Sequence, residues 1–468
     1  MAFDNGKQIA SERAEMTSRT ANNFYAGLVL VATIMLPLES GSVELDQDLA
    51  DSLTAQFESA ELQTVSVDSA ATLGSYLAYA AIQSPALRRA FYNWKSALEK
   101  TGYVGALPDP MISFGYFIEN VETRVGPQEQ KFSLKQTLPW FGTLGAKKDM
   151  ARQSANAAFR KYEAEKLRLF YSVKAAYYDL YYLGRDIALT EENLELMKFW
   201  ESIARVKYKV ALKQHPDLIK AQVELGKLED RLLTLKDKVS PTAARLRAIV
   251  NLPDEMTLTL PTVISTSETA VDKDRVLSDA LENNPDLQAI EHLIDRERAG
   301  VRLAGKASLP SFTVGVDYIA TGEALNASMD ESGKDPFIVG VGINLPIWFG
   351  KNSSKKREAA ARLQSAHYHH ADAENRLTAL VERIVFNYSD ALRKTKLYRD
   401  GLIPKATQAL NASYTAYQAG TADFLNVLDA QRQLLAFQLQ FERALADLAT
   451  RRGEIEMITG IELDNNRM

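Results

Sequence analysis

Three histidines, His367, His369 and His370, stand together with Asp372 and Glu374 just beyond them. At helical spacing His367 and His370 lie one turn apart and have the reach to share a divalent ion. The same spacing serves a plainer purpose, because His370 takes the position that Tyr162 holds in an equivalent earlier segment, on the seam of a helix. No metal ligand is therefore assigned. A second grouping is acidic: Asp217 and Asp423 stand in the first turns of helical patterns, where the helix dipole favours carboxylates, and Pro216 suits a first helical position. Asn426 and Asp429 follow Asp423 at three and six residues, one turn apart and deeper in the same helix. Catalysis finds no support in the residue types. There is no cysteine, no phosphate-binding glycine loop, no zinc spacing and no nucleophile elbow, so the chain is read as no enzyme and as needing no cofactor.

The acids at 423–429 belong to a tight turn, Tyr417 to Gln431, between two long helical patterns, and that turn has a twin. A shift of 209 residues lays Tyr417 on Tyr208, Gly420 on Ala211, Asn426 on Asp217, and Ala430-Gln431 on Ala221-Gln222. Self-similarity over this distance means two copies of one structural unit. The expected organisation is a signal peptide at 1–42, an extension at 43–67 with no clear period, repeat one at 68–253, a linker at 254–275, repeat two at 276–463 and a tail at 464–468.

Net charge is −5 with 25% charged residues, so no basic surface argues for nucleic acid. The strongest apolar run, Phe24 to Leu38, is shorter than the roughly 20 residues a spanning helix needs. Lys7, Arg13 and Arg19 precede it and Ser40, Gly41 and Ser42 follow it, the layout of a secretory signal cleaved after Ser42, with Met16 as an alternative start.

Each repeat opens with a helical pattern broken by a proline, Ser84-Pro85-Ala86-Leu87 in the first and Asn284-Pro285-Asp286-Leu287 in the second. Each pattern then reaches a Leu-Pro step, Leu107-Pro108 or Leu309-Pro310, where the period changes to strict alternation. In repeat two Phe312, Val314, Val316 and Tyr318 point one way, and Phe337, Val339, Val341, Ile343 and Leu345 form a second alternating run. Repeat one has Ile112, Phe114, Tyr116 and Ile118, then Phe132, Leu134 and Leu138. The expectation is two β-hairpins. Four strands cannot close a barrel, so strands of this kind in a membrane require hairpins from several chains.

Both second strands end alike, in Leu138-Pro139-Trp140-Phe141-Gly142 and Leu345-Pro346-Ile347-Trp348-Phe349-Gly350. The proline ends the strand, the glycine lets the chain turn, and Trp140, Phe141, Trp348 and Phe349 suit a boundary between lipid and water. From Thr143 to Lys213 apolar residues such as Tyr162, Leu169, Val173, Ala176, Leu180 and Leu183 recur at three and four, the spacing of a heptad seam. A helix of about 70 residues is roughly 105 Å long, beyond any ordinary domain. The return segment and both partners in repeat two carry the same spacing, with a kink expected near Gly401 and Pro404.

The signal, the paired units of helix, hairpin, long helix, tip and helix, the doubled Trp-Phe-Gly and the tip Ala419-Gly420-Thr421 with Val427-Leu428-Asp429-Ala430 together resemble the TolC-like outer membrane factor family over about Asp68 to Leu463. The resemblance implies a mainly α protein with membrane β: a homotrimer whose twelve strands form one barrel in the outer membrane lipid and whose coiled-coil helices form a periplasmic α-barrel. It implies an exit duct of a tripartite efflux pump, docked at its tips to a periplasmic adaptor (membrane fusion) protein and served by an inner-membrane pump of the RND type. A type I secretion channel is the neighbouring reading, and a structural coiled-coil protein of the cell envelope is the rival from another class. The docking tips are Val210, Ala211 and Leu212, where the family often has a glycine, and Ala419, Gly420 and Thr421. Family acids at the positions of Asn426 and Asp429 line the narrow entrance, with Asp217 and Lys220 at the equivalent places in repeat one. Asp217 to Leu225 is similar to the tips of members that serve metal-cation pumps. Many members carry lipid on an N-terminal cysteine, and this chain has none.

Overall fold

The computed structural model describes residues 47–62, 72–209, 215–254, 256, 258–326 and 330–462. The expected signal, the apolar run Phe24 to Leu38 and the tip residues Val210, Ala211 and Leu212 lie outside these residues. Helix α1, Gln47–Leu62, occupies a segment expected to have no period. Among its described side chains Ala50 and Phe57 are buried, on one face at a spacing of two turns. A stripe that sparse does not stand out in a sequence, and Phe57 finds its partner far along the chain, under the guanidinium of Arg88 at 5.9 Å from the ring centroid.

Helices α2 (Leu73–Gln83) and α3 (Pro85–Tyr103) are one pattern interrupted at Ser84, and α6 (Lys273–Asn283) and α7 (Pro285–Lys306) are interrupted in the same way at Asn284. Both interrupting residues are extended, with φ/ψ of −64/119 and −65/117, because the ring of the following proline excludes the helical region for the residue before it. Asn284 uses the break to donate its side-chain amide to the carbonyl of Ile458 at 2.9 Å.

Strands β1 (Met111–Thr123), β2 (Gly126–Leu138), β3 (Ser311–Thr321) and β4 (Phe337–Asn344) form one antiparallel sheet in the order β1-β2-β3-β4. The two hairpins are therefore joined, β2 pairing with β3 from Gln128↔Thr321 to Leu138↔Phe312. Alternation assigns a strand its faces but not its neighbour, which is why a pairing that brings Ser133 opposite Asp317 is not legible in the sequence. Register aligns Phe114, Phe132, Tyr318 and Phe337 in one row, and Ile112, Leu134, Val316 and Val339 in the next.

After the sheet come the long helices: α4, Thr143–Lys209, returning as α5, His215–Val250, and α8, Phe349–Leu397, continuing through a π-helical turn at Tyr398–Leu402 into α9, Ile403–Gln418. Helix α10, Phe424–Thr459, returns from the second tip. This π turn stands where a kink is expected: it contains Gly401, Pro404 just after it lacks the N–H for the helical ladder, and the guanidinium of Arg399 is held by Glu268 and Asp400.

Contacts divide the chain into two compact units, and each draws on both halves of the chain. One comprises the described residues of Met1–Ala90, Tyr162–Pro285 and Glu374–Met468; the other, Phe91–Lys161 and Asp286–Ala373, contains the sheet. In the first, α4 buries more than a single seam. Val173, Ala176, Leu180 and Leu183 are buried as expected, and Tyr178 and Tyr181 bury a second stripe with Ala446 and Ala449 of α10. Near the tip Leu194, Met197 and Trp200 pack with Ala221 and Leu228 of α5, Leu410 and Tyr417 of α9, and Phe424 and Val427 of α10. In the second unit Trp94 is fully buried beside Phe159, ring centroids 4.9 Å apart, and Phe91 at 5.7 Å. Among the described residues no helix is long and apolar enough to cross a membrane.

Candidate functional site

Two regions carry the residues singled out in the sequence: the helical tip of the first unit and the sheet with its aromatic turns in the second.

At the tip, α9 ends in a glycine cap. Gly420 has φ +79; its N–H bonds to the carbonyl of Tyr417 at 3.2 Å and that of Thr421 to the carbonyl of Ala416 at 3.0 Å, the paired bonds of a Schellman motif, with Ala419 as C-cap. Glycine is needed for its conformation, since no atom lies within 4 Å of where a Cβ would stand. Asp423, in extended conformation, is the N-cap of α10. The ring of Tyr417 is buried against Phe424 at 5.4 Å, and Lys207 lies 4.0 Å over it while donating to the Tyr417 carbonyl at 3.0 Å. Burial, then the carboxylates of Asp217 and Asp423, push the Tyr417 hydroxyl above its ordinary value. Asp217 is thus a buried residue at the foot of α5, whereas Lys220, Asn426 and Asp429 are exposed.

Asp429 does not stand alone. Its Oδ1 is 3.4 Å from the guanidinium of Arg432, whose other amino group donates to Glu224 of α5, and Lys227 reaches the same Glu224 oxygen at 3.6 Å. The hydrogen bond from Arg432 holds the Glu224 carboxyl below its ordinary range, and Glu224 in turn raises the Arg432 pKa. Further rungs join α4 to its neighbours. Gln431 donates to Asn193 with both residues buried, Arg231 holds Asp186 through two bonds of 2.8 and 3.1 Å, and Glu442 accepts from Tyr181 at 2.5 Å and Arg185 at 2.8 Å. Arg432, Glu224 and these rungs escape a sequence reading because each joins helices distant in the chain. The local signal is no more than the Glu224/Lys227 and Asp429/Arg432 spacing of three.

In the second unit one face of the sheet is apolar and open: Ile112, Phe114, Leu134, Phe337, Val339, Val341 and Ile343 are all exposed. The opposite face carries Ser133 bonded to Asp317, with Lys131 at 3.4 Å from the same carboxylate. Trp140 stacks on Phe312, centroids 5.9 Å apart, while Phe141, Trp348 and Phe349 are 69–80% exposed. Gly142 turns the chain with φ +74 where a Cβ would meet the Lys306 ammonium at 3.0 Å, and that ammonium donates to the Phe141 carbonyl. The equivalent turn at Gly350 is tied by buried Asn352, whose amide donates to the Pro346 carbonyl at 3.3 Å. His370 faces Glu291 at 3.6 Å, and His367 and His369 are exposed.

The sheet exposes apolar side chains over most of one face, with aromatic residues at the end where the long helices begin, a surface suited to contact with lipid. The chain belongs to the outer membrane efflux protein family, whose profile matches residues 77–252 and 276–460. Its place is the outer membrane, with the helices in the periplasm. The outer membrane efflux protein BepC of Brucella suis is 25% identical over 280 residues, 59% of this chain and 60% of that relative, so the match spans about three fifths of its length. The cobalt-zinc-cadmium resistance protein CzcC of Cupriavidus metallidurans is 27% identical over 186 residues, 40% of this chain and 42% of the relative. Among solved structures, the outer membrane protein VceC of Vibrio cholerae superposes with a TM-score of 0.68 at 18% identity, covering 84% of this chain and 97% of that one, and so shares the fold.

Proposed function

We propose that three copies of the chain assemble into the outer-membrane exit duct of a tripartite efflux pump, which passes substrate from an inner-membrane pump of the RND type and a periplasmic adaptor to the outside. The observation that carries this reading is the sheet: four strands with one face apolar and exposed, and with β1 and β4 left as edges. An open edge is not tolerated in lipid, and three sheets joined edge to edge leave none. Twelve strands enclose a water-filled lumen, lined by the face that carries Lys131, Lys135 and Asp317.

In the same assembly the tips at Gly420 and at Val210 to Leu212 meet the adaptor, and Asp429, Asn426 and Lys220, with Asp217 buried behind them, form the constriction. Threefold symmetry brings three Asp429 carboxylates together, and low-dielectric walls focus their field, which favours cations. The duct conducts while the pump selects. The test is to extract the protein in mild detergent, measure its mass, and record conductance after reconstitution in a planar bilayer. A trimer with ohmic conductance is expected; a stable monomer with fully protected strand amides would sink the reading.

A further inference from the structure

The turns that end the sheet share more than Trp-Phe-Gly. A shift of 208 residues lays Gly142 on Gly350 and also lays Lys147-Lys148 on Lys355-Lys356, so a lysine pair follows the aromatic turn at the same distance in both repeats. All four lysines are exposed, and none has a carboxylate at ion-pair distance among the described residues. The nearby acids are already matched by arginines, Asp149 with Arg302 at 3.0 Å and Glu358 with Arg362 at 3.1 Å. The cations therefore face solvent uncompensated, below a collar of exposed aromatic residues. Beside one pair the collar includes an open groove lined by Ile347, Trp348, Phe349, Gly350 and Lys351, three apolar side chains and one cation.

Depth decides what such a collar meets. Aromatic belts sit at headgroup level, and the headgroup region is about 5–8 Å thick per leaflet. From Gly350 to Lys355 five residues of helix rise about 7.5 Å, and from Thr143, where α4 begins, to Lys147 four rise about 6 Å. Helical side chains lean toward the N-terminus of their helix, so the lysines reach back toward the aromatic turn and bring their ammonium groups to phosphate level. Resting on the outer-membrane reading above, we infer that Lys147, Lys148, Lys355 and Lys356, with Trp348 and Phe349, form a binding collar for anionic phospholipid in the periplasmic leaflet. The bound group is a phosphodiester headgroup of the phosphatidylglycerol class, its acyl chain lying along the groove wall. The zwitterionic headgroups around it lack the net charge to compete for a lysine pair.

The test uses the full chain extracted in detergent and native mass spectrometry of lipid retained from mixed phosphatidylglycerol and phosphatidylethanolamine micelles. Wild type is expected to retain phosphatidylglycerol preferentially, and the variant K147Q/K148Q/K355Q/K356Q to lose that preference by about fivefold per lysine removed. The matching arginine variant keeps it. A wild-type trimer indifferent to phosphatidylglycerol, a glutamine variant that retains it fully, or displacement by millimolar inorganic phosphate each overturns the lipid collar while leaving the duct intact. A chain that stays monodisperse without detergent overturns both.

Discussion

Arg432 stands 3.4 Å from Asp429, one turn further along α10, and gives its other amino group to Glu224 of α5. The acid offered by the tip is thus partly balanced from within its own chain, and the balance is anchored to the neighbouring helix. Removing the acid and removing its counter-charge should move ion selectivity in opposite directions. Asp429→Ala is expected to lower cation-over-anion selectivity and weaken block by trivalent cations, and Arg432→Gln to raise selectivity, each by a factor on the order of two to ten. Reversal potentials of single channels under a salt gradient measure both, and if neither variant moves them the pair lies away from the constriction.

Glu224 makes the same link sensitive to acid. Its carboxyl is held below the ordinary value of 4.5 by the hydrogen bond from Arg432, so its contribution to stability is fully present above that value and is lost as pH falls through the lower, folded-state value. Arg432 is 46% exposed, which limits the contribution to roughly 0.5–1 kcal/mol. Unfolding midpoints followed by circular dichroism should fall more steeply below about pH 4.5 for wild type than for Glu224→Gln. Parallel curves would mean that the pair contributes nothing to the folded state.

Gly420 is held at φ +79 with open space around it, so a side chain there meets backbone strain and no clash. Gly420→Val should destabilise the turn by about 1–2 kcal/mol, abolish export and leave the detergent-resistant assembly intact. Gly420→Asn, which tolerates the left-handed region, should retain most export. Equal export by the two variants would remove the cap from any role in docking.

Gln431 and Asn193 are buried together between α10 and α4. Gln431→Leu leaves the Asn193 side-chain oxygen without its donor and should cost about 1–3 kcal/mol, whereas Asn193→Leu combined with Gln431→Leu should recover much of the loss. Urea denaturation of the three variants forms a double-mutant cycle; simple additivity would contradict coupling between the two residues.

The repeated proline breaks, the alternation from Phe312 to Tyr318 and the doubled Trp-Phe-Gly determine helix, strand and turn through residue order by itself. These are local properties, written in the period of the side chains and in the backbone limits of proline and glycine, and they carry the family resemblance with them. Helix α1 escapes such a reading because Ala50 and Phe57, the buried residues among its described side chains, stand seven apart and make too faint a stripe. The tertiary structure alone decides that β2 pairs with β3, that each compact unit takes segments from both halves of the chain, and that Arg432 reaches Glu224 on a different helix. The physical reason is common to all three: periodicity says which face of an element is buried, but its partner is chosen by packing against residues far away in the chain. Asp217 and Asp429 look alike in sequence, each an acid near a helix start, and packing beside Tyr417 buries the first while the second stays exposed next to a guanidinium.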